Sequence, residues 1–376
     1  MAVRKKIPTL KIITVIIVLT LSIITFKLND SLRVPSIFDG KFYSTLNIPK
    51  AKQPKILPEK ISSIPELQVW ADSATYNQYL YTDILLQKSN TTSFLVVKDG
   101  KVIFKRYLNG VKEGDITQVF SVTKVFVTAL LGMAIQDKII EDINLPVSYF
   151  YKELKNTKFD SVTLLHLCQM TSGLNYDEYG NLLQTIRFYY SDNLHSVIEN
   201  ATFSDVPGKK FMYKSIDTQI LGECITKALG KKTFMEYFYE KIWNPLGMQD
   251  SAFFTVDNKI TRTPKFYGGL NITARDLAKF GIMVANNGIY NKKRILPKDW
   301  FNQCDNTSFR SDSDDKYCLG WYYMVDDDSS DVYFAAGFNG QTMMINETTN
   351  VVVIRLGIDR GNINWYPIMK KLSESV

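Results

Sequence analysis

The chain holds two histidines, His166 and His195, among 376 residues. That is too few for a histidine-built metal centre. Its four cysteines include no Cys-x-x-Cys pair, so the common zinc spacings are missing too. No metal or other cofactor is expected. Internal repeats and low-complexity tracts are also lacking. Positive charge is scarce where nucleic acid would need it. Residues 1–60 carry eleven Lys/Arg against three acids, so most of the net charge of +7 lies there and the remaining chain sums to −1. A nucleic-acid partner is therefore not expected. What is abundant is apolar and aromatic residue, 45% and 13%, including 21 tyrosines, which belongs to a chain with a substantial core.

The cysteines divide by context. Cys168 and Cys224 fall in helical apolar patterns and read as buried thiols. Cys304 and Cys318 flank the polar run "DNTSFRSDSDDKY", a spacing that permits a disulfide in an oxidising compartment.

The longest apolar run, residues 12–26, is short for a spanning helix, but 10–28 reaches the necessary length if Lys11 and Lys27 snorkel to the interfaces. Residues 1–9, with Arg4, Lys5 and Lys6, would stay cytoplasmic and the bulk of the chain would be exported. An uncleaved signal anchor is the favoured expectation, because "KLNDSLRVPS" shows no small-x-small cleavage site. The exported domain would then lie at a bacterial periplasm or cell surface. Secretion after cleavage is the rival. Residues 29–70, rich in proline and lysine and poor in periodicity, read as a linker.

Residues 71–376 read as one domain. "TSFLVVKDGKVIFKRYLNG" predicts a hairpin around Asp99-Gly100, a favoured type I′ turn. Residues 121–138 predict an apolar helix. From about 139 to 300 the pattern is mainly helical. Ser161 or Thr163 caps "LLHLCQM"; one helix stops at Gly230, and another runs from Thr273 towards Gly288. Strand patterns return in "KYCLGWYYMVD", "VYFAAGF", "TMMIN" and "VVVIRLG". The early hairpin must pair with these late strands. The expected class is α+β: one antiparallel sheet flanked by helices, plus a helical lobe inserted in sequence, with a cleft between.

Within the apolar helix stand Ser121 and Lys124. The Ser-x-x-Lys spacing alone is weak, and a second copy runs from Ser313 to Lys316 in an acidic, solvated stretch. Context separates them. A lysine among Val122, Val125, Phe126, Ala129 and Leu130 is buried, and burial can lower its pKa by about 3–5 units. A neutral amine one turn from a serine hydroxyl is a general base for a nucleophile. The N–H of Ser121, at the helix start, can supply half of an oxyanion hole. "PGKKFMYKSIDTQILG" adds Tyr213 and Ser215, and "FAAGFNGQTMM" adds Gly337, where backbone can approach a ligand, and the N–H of Phe338.

These segments, with "TLLHLCQMTSGL" and "GGLNITARDLAKFGIMVANNG", together resemble the serine β-lactamase and penicillin-recognising family. The branch is that of class C β-lactamases, D-peptidases, esterases and 6-aminohexanoate-dimer hydrolases. The resemblance implies a β-lactamase/transpeptidase-like fold. It implies Ser121 as the acylated nucleophile, Lys124 as its partner and Tyr213 as a second proton-transfer residue. The N–H groups of Ser121 and Phe338 would form the oxyanion hole. Tyr176, Tyr179, Ser215, Gly337 and Asn339 become candidates for substrate contact, with one of the two tyrosines facing the substrate. His166 reads as a packing residue. Two motifs depart from the family pattern: Tyr213-Lys214-Ser215 replaces Tyr-x-Asn, and Ala335-Ala336-Gly337 lacks the usual cation. The expected function is a serine hydrolase acting on a small ester or amide. The alternatives are a non-catalytic or D-peptide-binding envelope protein and a true β-lactamase.

Overall fold

The computed structural model describes residues 34–62, 64, 69–71, 78–80, 82–304, 309–310, 316–324 and 331–376. The expected membrane helix at 10–28 and the second Ser-x-x-Lys serine, Ser313, lie outside these residues. Among the described residues no helix is long and apolar enough to cross a membrane.

The strands of the two larger sheets, in chain order, are β1 (Thr45–Ile48), β2 (Thr91–Lys98), β3 (Lys101–Tyr107), β4 (Thr117–Gln118), β5 (Ala252–Thr255), β6 (Leu270–Ile272), β7 (Phe309–Arg310), β8 (Lys316–Cys318), β9 (Trp321–Tyr323), β10 (Val332–Gly337), β11 (Gln341–Asn346) and β12 (Val351–Gly357). The helices that matter for the site are α1 (Thr82–Lys88), α2 (Thr123–Gln136), α3 (Leu164–Cys168), α4 (Leu182–Tyr189), α5 (Ser215–Ala228), α6 (Ala274–Ala285) and α7 (Trp365–Ser375).

Eight strands form the main sheet in the order β7-β8-β9-β10-β11-β12-β2-β3. Every neighbouring pair is antiparallel. The early hairpin therefore joins the late strands as expected. Asp99 and Gly100 both take left-handed backbone, with φ 48° and 71°, as a type I′ turn demands.

Period-two alternation divides the sheet's side chains between two cores. Phe94, Val96, Val351, Val353 and Met344 face α1 and α7, against Leu86, Trp365 and Met369. Leu95, Val97, Val352, Ile354 and Met343 face the other way, towards Leu277 and Phe280 of α6 and Phe126 of α2. A one-residue register slip would exchange the two sets, so register is strongly specified. Phe126 and Phe280 stack at 3.9 Å. Gly281 lets α6 lie close, since a Cβ there would come within 2.6 Å of Val352.

Two boundaries differ from expectation. The region 139–300 is not uniformly a helical lobe: it contributes β5 and β6, and α6 covers the main sheet. Hydrophobic spacing reads equally well for a lobe helix and a sheet-covering one. Residues 29–70 are also not a free linker throughout. Between Pro35 and Ser62 the chain is bound to the domain at several points. Asp39–Lys41 makes a 3-10 turn, and β1 pairs with β5 in a second sheet of order β1-β5-β6-β4. Ile37, Ile48 and Leu57 are buried in the core. Single apolar anchors at irregular intervals leave no periodicity to read.

Candidate active site

The small sheet sets the position of Ser121. β4 pairs with β6, and the ladder continues as the Val119 N–H donates to the Leu270 carbonyl at 3.1 Å. The Leu270 N–H donates back to the Thr123 hydroxyl at 3.1 Å. Between them the chain turns sharply. Phe120 sits at φ 45°, left-handed and costly for a residue with a side chain. Ser121 then lies in a 3-10 turn, Phe120–Val122, and α2 starts at Thr123, two residues later than expected. Every α2 residue from Thr123 to Ala134 is buried, which makes Lys124 a charge in a dry core.

Lys124 has three polar neighbours. Its Nζ is 2.8 Å from Ser121 Oγ, 3.2 Å from Ser215 Oγ and 2.9 Å from the Tyr267 carbonyl. A neutral amine has two protons to give and one lone pair to receive, which matches this set. It can donate to Tyr267 and Ser215 and accept from Ser121. Burial pulls its pKa from the ordinary value to about 8, while Glu178 and Asp217 pull the other way. Lys124 is buried, as its apolar neighbours in the sequence led one to expect.

Tyr213 is buried beside Ser121, and its ring lies 5.0 Å from Lys124 Nζ. Burial drives its pKa far above the ordinary value. Tyr213 therefore keeps its proton near neutrality while Lys124 can lose one. Burial thus drives the two groups' proton affinities in opposite directions.

Ser215 links the site to a residue that sequence reading missed. Its hydroxyl donates to Glu178 Oε1 at 2.7 Å and its N–H to Oε2 at 2.5 Å. A bidentate carboxylate thus fixes the first residue of α5, where helix N–H groups favour negative charge. Glu178 stands in "NYDEYG", which reads as a polar loop. The one available signal was an acid beside two candidate tyrosines. The loop is held from behind as well: Lys214 donates to the Leu174 carbonyl at 3.0 Å, and the Thr185 hydroxyl donates to the Glu178 carbonyl at 2.8 Å. Asp217, one turn into α5, accepts from the Ser172 hydroxyl at 2.6 Å and is pushed up to about 7 by burial.

The tyrosine pair resolves clearly. Tyr176 is buried against Phe188. Tyr179 is exposed and stacks on the Tyr213 ring at 5.8 Å, so it forms the aromatic wall of the site. Tyr317 and Tyr322 pack on Tyr213 from other sides. His166 serves packing and capping: Thr163, the helix cap, donates its N–H to His166 Nδ1. Cys318 is disulfide-bonded, Cys168 and Cys224 are free, and the side chain of Cys304 lies outside the described residues.

On the opposite side, β10 ends against the turn that carries Ser121. A Cβ at Gly337 would collide with the Val119 carbonyl, so only glycine allows this approach. Phe338 is half-exposed and meets Phe120 edge-on at 5.6 Å. Asn339 takes left-handed backbone, φ 61°, and its side-chain amide donates to the Pro35 carbonyl at 3.2 Å. That amide is spent on the N-terminal strap. Ala335 is buried in the core, so the usual motif cation has no substitute at that position.

A family model for Beta-lactamase matches residues 86–357. The chain belongs to the β-lactamase family. The family's members are serine hydrolases, and this one has the Ser-x-x-Lys pair in contact. It is 22% identical over 293 residues to a 6-aminohexanoate-dimer hydrolase of Paenarthrobacter ureafaciens, covering 72% of this chain and 73% of the relative. A Bacillus anthracis structure assigned as a 6-aminohexanoate-dimer hydrolase superposes with a TM-score of 0.78 at 23% identity, covering 90% of this chain and 91% of that one. A family VIII carboxylesterase superposes with a TM-score of 0.62 at 15% identity, covering 76% and 92% of the two chains. At such identities the structural likeness establishes the β-lactamase-like fold.

Proposed function

We propose that this member of the family acts on small, neutral or weakly charged esters and amides through an acyl-enzyme on Ser121. The observation that carries the proposal is the 2.8 Å contact between Ser121 Oγ and a desolvated Lys124 amine. In the first step Lys124 takes the Ser121 proton as Oγ attacks the carbonyl carbon. The tetrahedral oxyanion is received by the N–H groups of Ser121 and Phe338. Tyr213 gives its proton to the leaving alkoxide or amine and is recharged from Lys124. Water then enters, loses a proton to the same pair and releases the acid.

The substrate class follows from what surrounds the serine. Tyr179, Tyr213 and Phe338 offer aromatic contact, and Glu178 adds negative charge. The third motif supplies no cation for a substrate carboxylate, which disfavours penicillins and D-Ala peptides. The relatives named for 6-aminohexanoate dimers and carboxylic esters agree with an amide or ester. One cation does border the rim. Arg360 is exposed, close to Gly340 and near enough to Tyr179 to influence it. It keeps a carboxylate-bearing substrate as the second reading. We also propose that residues 10–28 anchor the protein, with the domain exported.

A fluorophosphonate probe and a short p-nitrophenyl ester, applied to the wild type and Ser121→Ala, test the proposal. Labelling and turnover in the wild type alone are expected. An inert wild type would sink it. Cephalosporin turnover at rates equal to the ester would establish the second reading.

A further inference from the structure

The most heavily bonded buried side chain near the site belongs to no catalytic motif. Arg355, on β12, is wholly buried. Its guanidinium bonds almost entirely to carbonyl oxygens. Nη1 donates to Asn339 O at 3.2 Å and Gly340 O at 2.9 Å. Nη2 donates to Ser89 O at 2.9 Å and Asp359 O at 2.7 Å. Nε donates to the Thr91 hydroxyl at 3.2 Å. One face of the fork lies over the Trp365 ring at 4.7 Å. Burying a guanidinium without a bonded carboxylate is costly, and fixed carbonyl dipoles are what offset the cost here. Burial draws its pKa down to about 9.

The carbonyls it holds are not arbitrary. Asn339 and Gly340, at φ 61° and 76°, form the left-handed turn that follows Phe338. Gln341 completes the hold, donating to Phe338 O at 3.2 Å, Asn339 O at 3.3 Å and Gly357 O at 2.7 Å. All three carbonyls of the turn are thus tied to the sheet side. The turn's own conformation fixes its local shape but not its placement against the sheet, and a shifted turn would let the Phe338 N–H swing from the Ser121 side. Space is also matched: a Cβ at Gly340 would lie 2.5 Å from Arg355 Nη1, and one at Gly357 equally close to Nη2.

We infer that Arg355 is a positioning residue for the oxyanion hole, which, with Gln341, locks the Phe338 turn from behind. It touches neither substrate nor the reacting atoms. The inference rests on the acyl-enzyme reading above and adds the group that preorganises its charge stabiliser.

The test compares the full chain with Arg355→Ala and Arg355→Lys on the p-nitrophenyl ester, with phenylboronic acid as a tetrahedral mimic. Loss of one oxyanion donor typically lowers kcat by about 10²–10³-fold. We expect Arg355→Ala to lose about 10²-fold in kcat, with KM changed less than about threefold and boronate affinity falling in parallel. The pH at which activity rises should not move, because Lys124 is untouched. Millimolar guanidinium should restore Arg355→Ala at least about tenfold by refilling the vacated fork, without accelerating the wild type. Arg355→Lys, which keeps a charge but not the fork, should fail nearly as badly and serves if the alanine variant does not fold. A folded variant with wild-type kcat overturns the inference. So does a loss shared equally by KM and melting temperature with no guanidinium rescue. A wild type inert to the fluorophosphonate probe overturns the parent reading instead, and this inference with it.

Discussion

Removing an acid should make this enzyme work at lower pH. Glu178 sits two hydrogen bonds from the base, through legs of 3.2 and 2.7 Å, which puts its carboxylate within roughly 6 Å of Lys124 Nζ. At an effective dielectric constant of about 20, a unit charge at that distance favours the ammonium by about 3 kcal/mol, or roughly 2 pH units. Glu178 is partly exposed, so solvent screening reduces this to about 1–2 units. Lys124 stands at about 8 with the carboxylate present. The base must be unprotonated to act, so kcat/KM should rise with pH through that value. Glu178→Gln keeps the size and one of the two acceptors, and it removes the charge. The rising limb should then shift down by about 1–2 units, raising activity at pH 6 relative to the wild type by about tenfold or more. The plateau should fall modestly, since a less basic amine is a weaker proton acceptor. The assay is a kcat/KM profile on the p-nitrophenyl ester from pH 5 to 9.5, corrected for spontaneous hydrolysis. A limb that stays in place, or moves upward, would refute the electrostatic account of the site.

Two further outcomes follow from the same geometry. Lys124→Met should abolish turnover yet raise the melting temperature at pH 7 by about 2–6 °C, because an apolar side chain of similar length replaces a desolvated amine. The sign has a pH signature. The folded-state pKa of about 8 lies below the ordinary 10.5, so the wild type should gain stability as pH climbs between those values, and the variant should not. Calorimetry across that range decides it, and a lower melting temperature for the variant would count against the buried-base picture. Tyr179→Ala should remove the exposed aromatic wall, raising KM for aryl esters by about three- to tenfold with little change in kcat. An effect confined to kcat would place Tyr179 in the chemistry instead.

Much of this site was legible because the relevant residues break local rules. A lysine inside an otherwise apolar helix demands a reason, and the surrounding Val125, Phe126 and Leu130 announce its burial. Gly337 is legible for a related reason, as the residue that lets two backbones meet. The hairpin at Asp99-Gly100 was readable from turn chemistry alone. Glu178 was not, because an acid in a polar loop violates nothing; its importance comes from Ser215, 37 positions away in the chain. Arg355 was hidden inside "VVVIRLG" as one polar residue in a strand, and only three converging loops give it meaning. The strap was hidden because Ile37, Ile48 and Leu57 dock one at a time, into grooves made by distant strands.

That strap also changes how much rope the domain has. Were residues 29–70 slack, the catalytic mouth could face any direction. The first bound residue is Pro35, which is tied to Asn339, on the turn beside Ser121. From Leu28, the end of the proposed anchor, to Pro35 the chain takes seven steps, which reach at most about 25 Å fully extended. In the proposed anchored form, the leash is short and is fastened at the mouth. The opening is therefore kept within that distance of the bilayer surface, and the substrates it meets first are those held there.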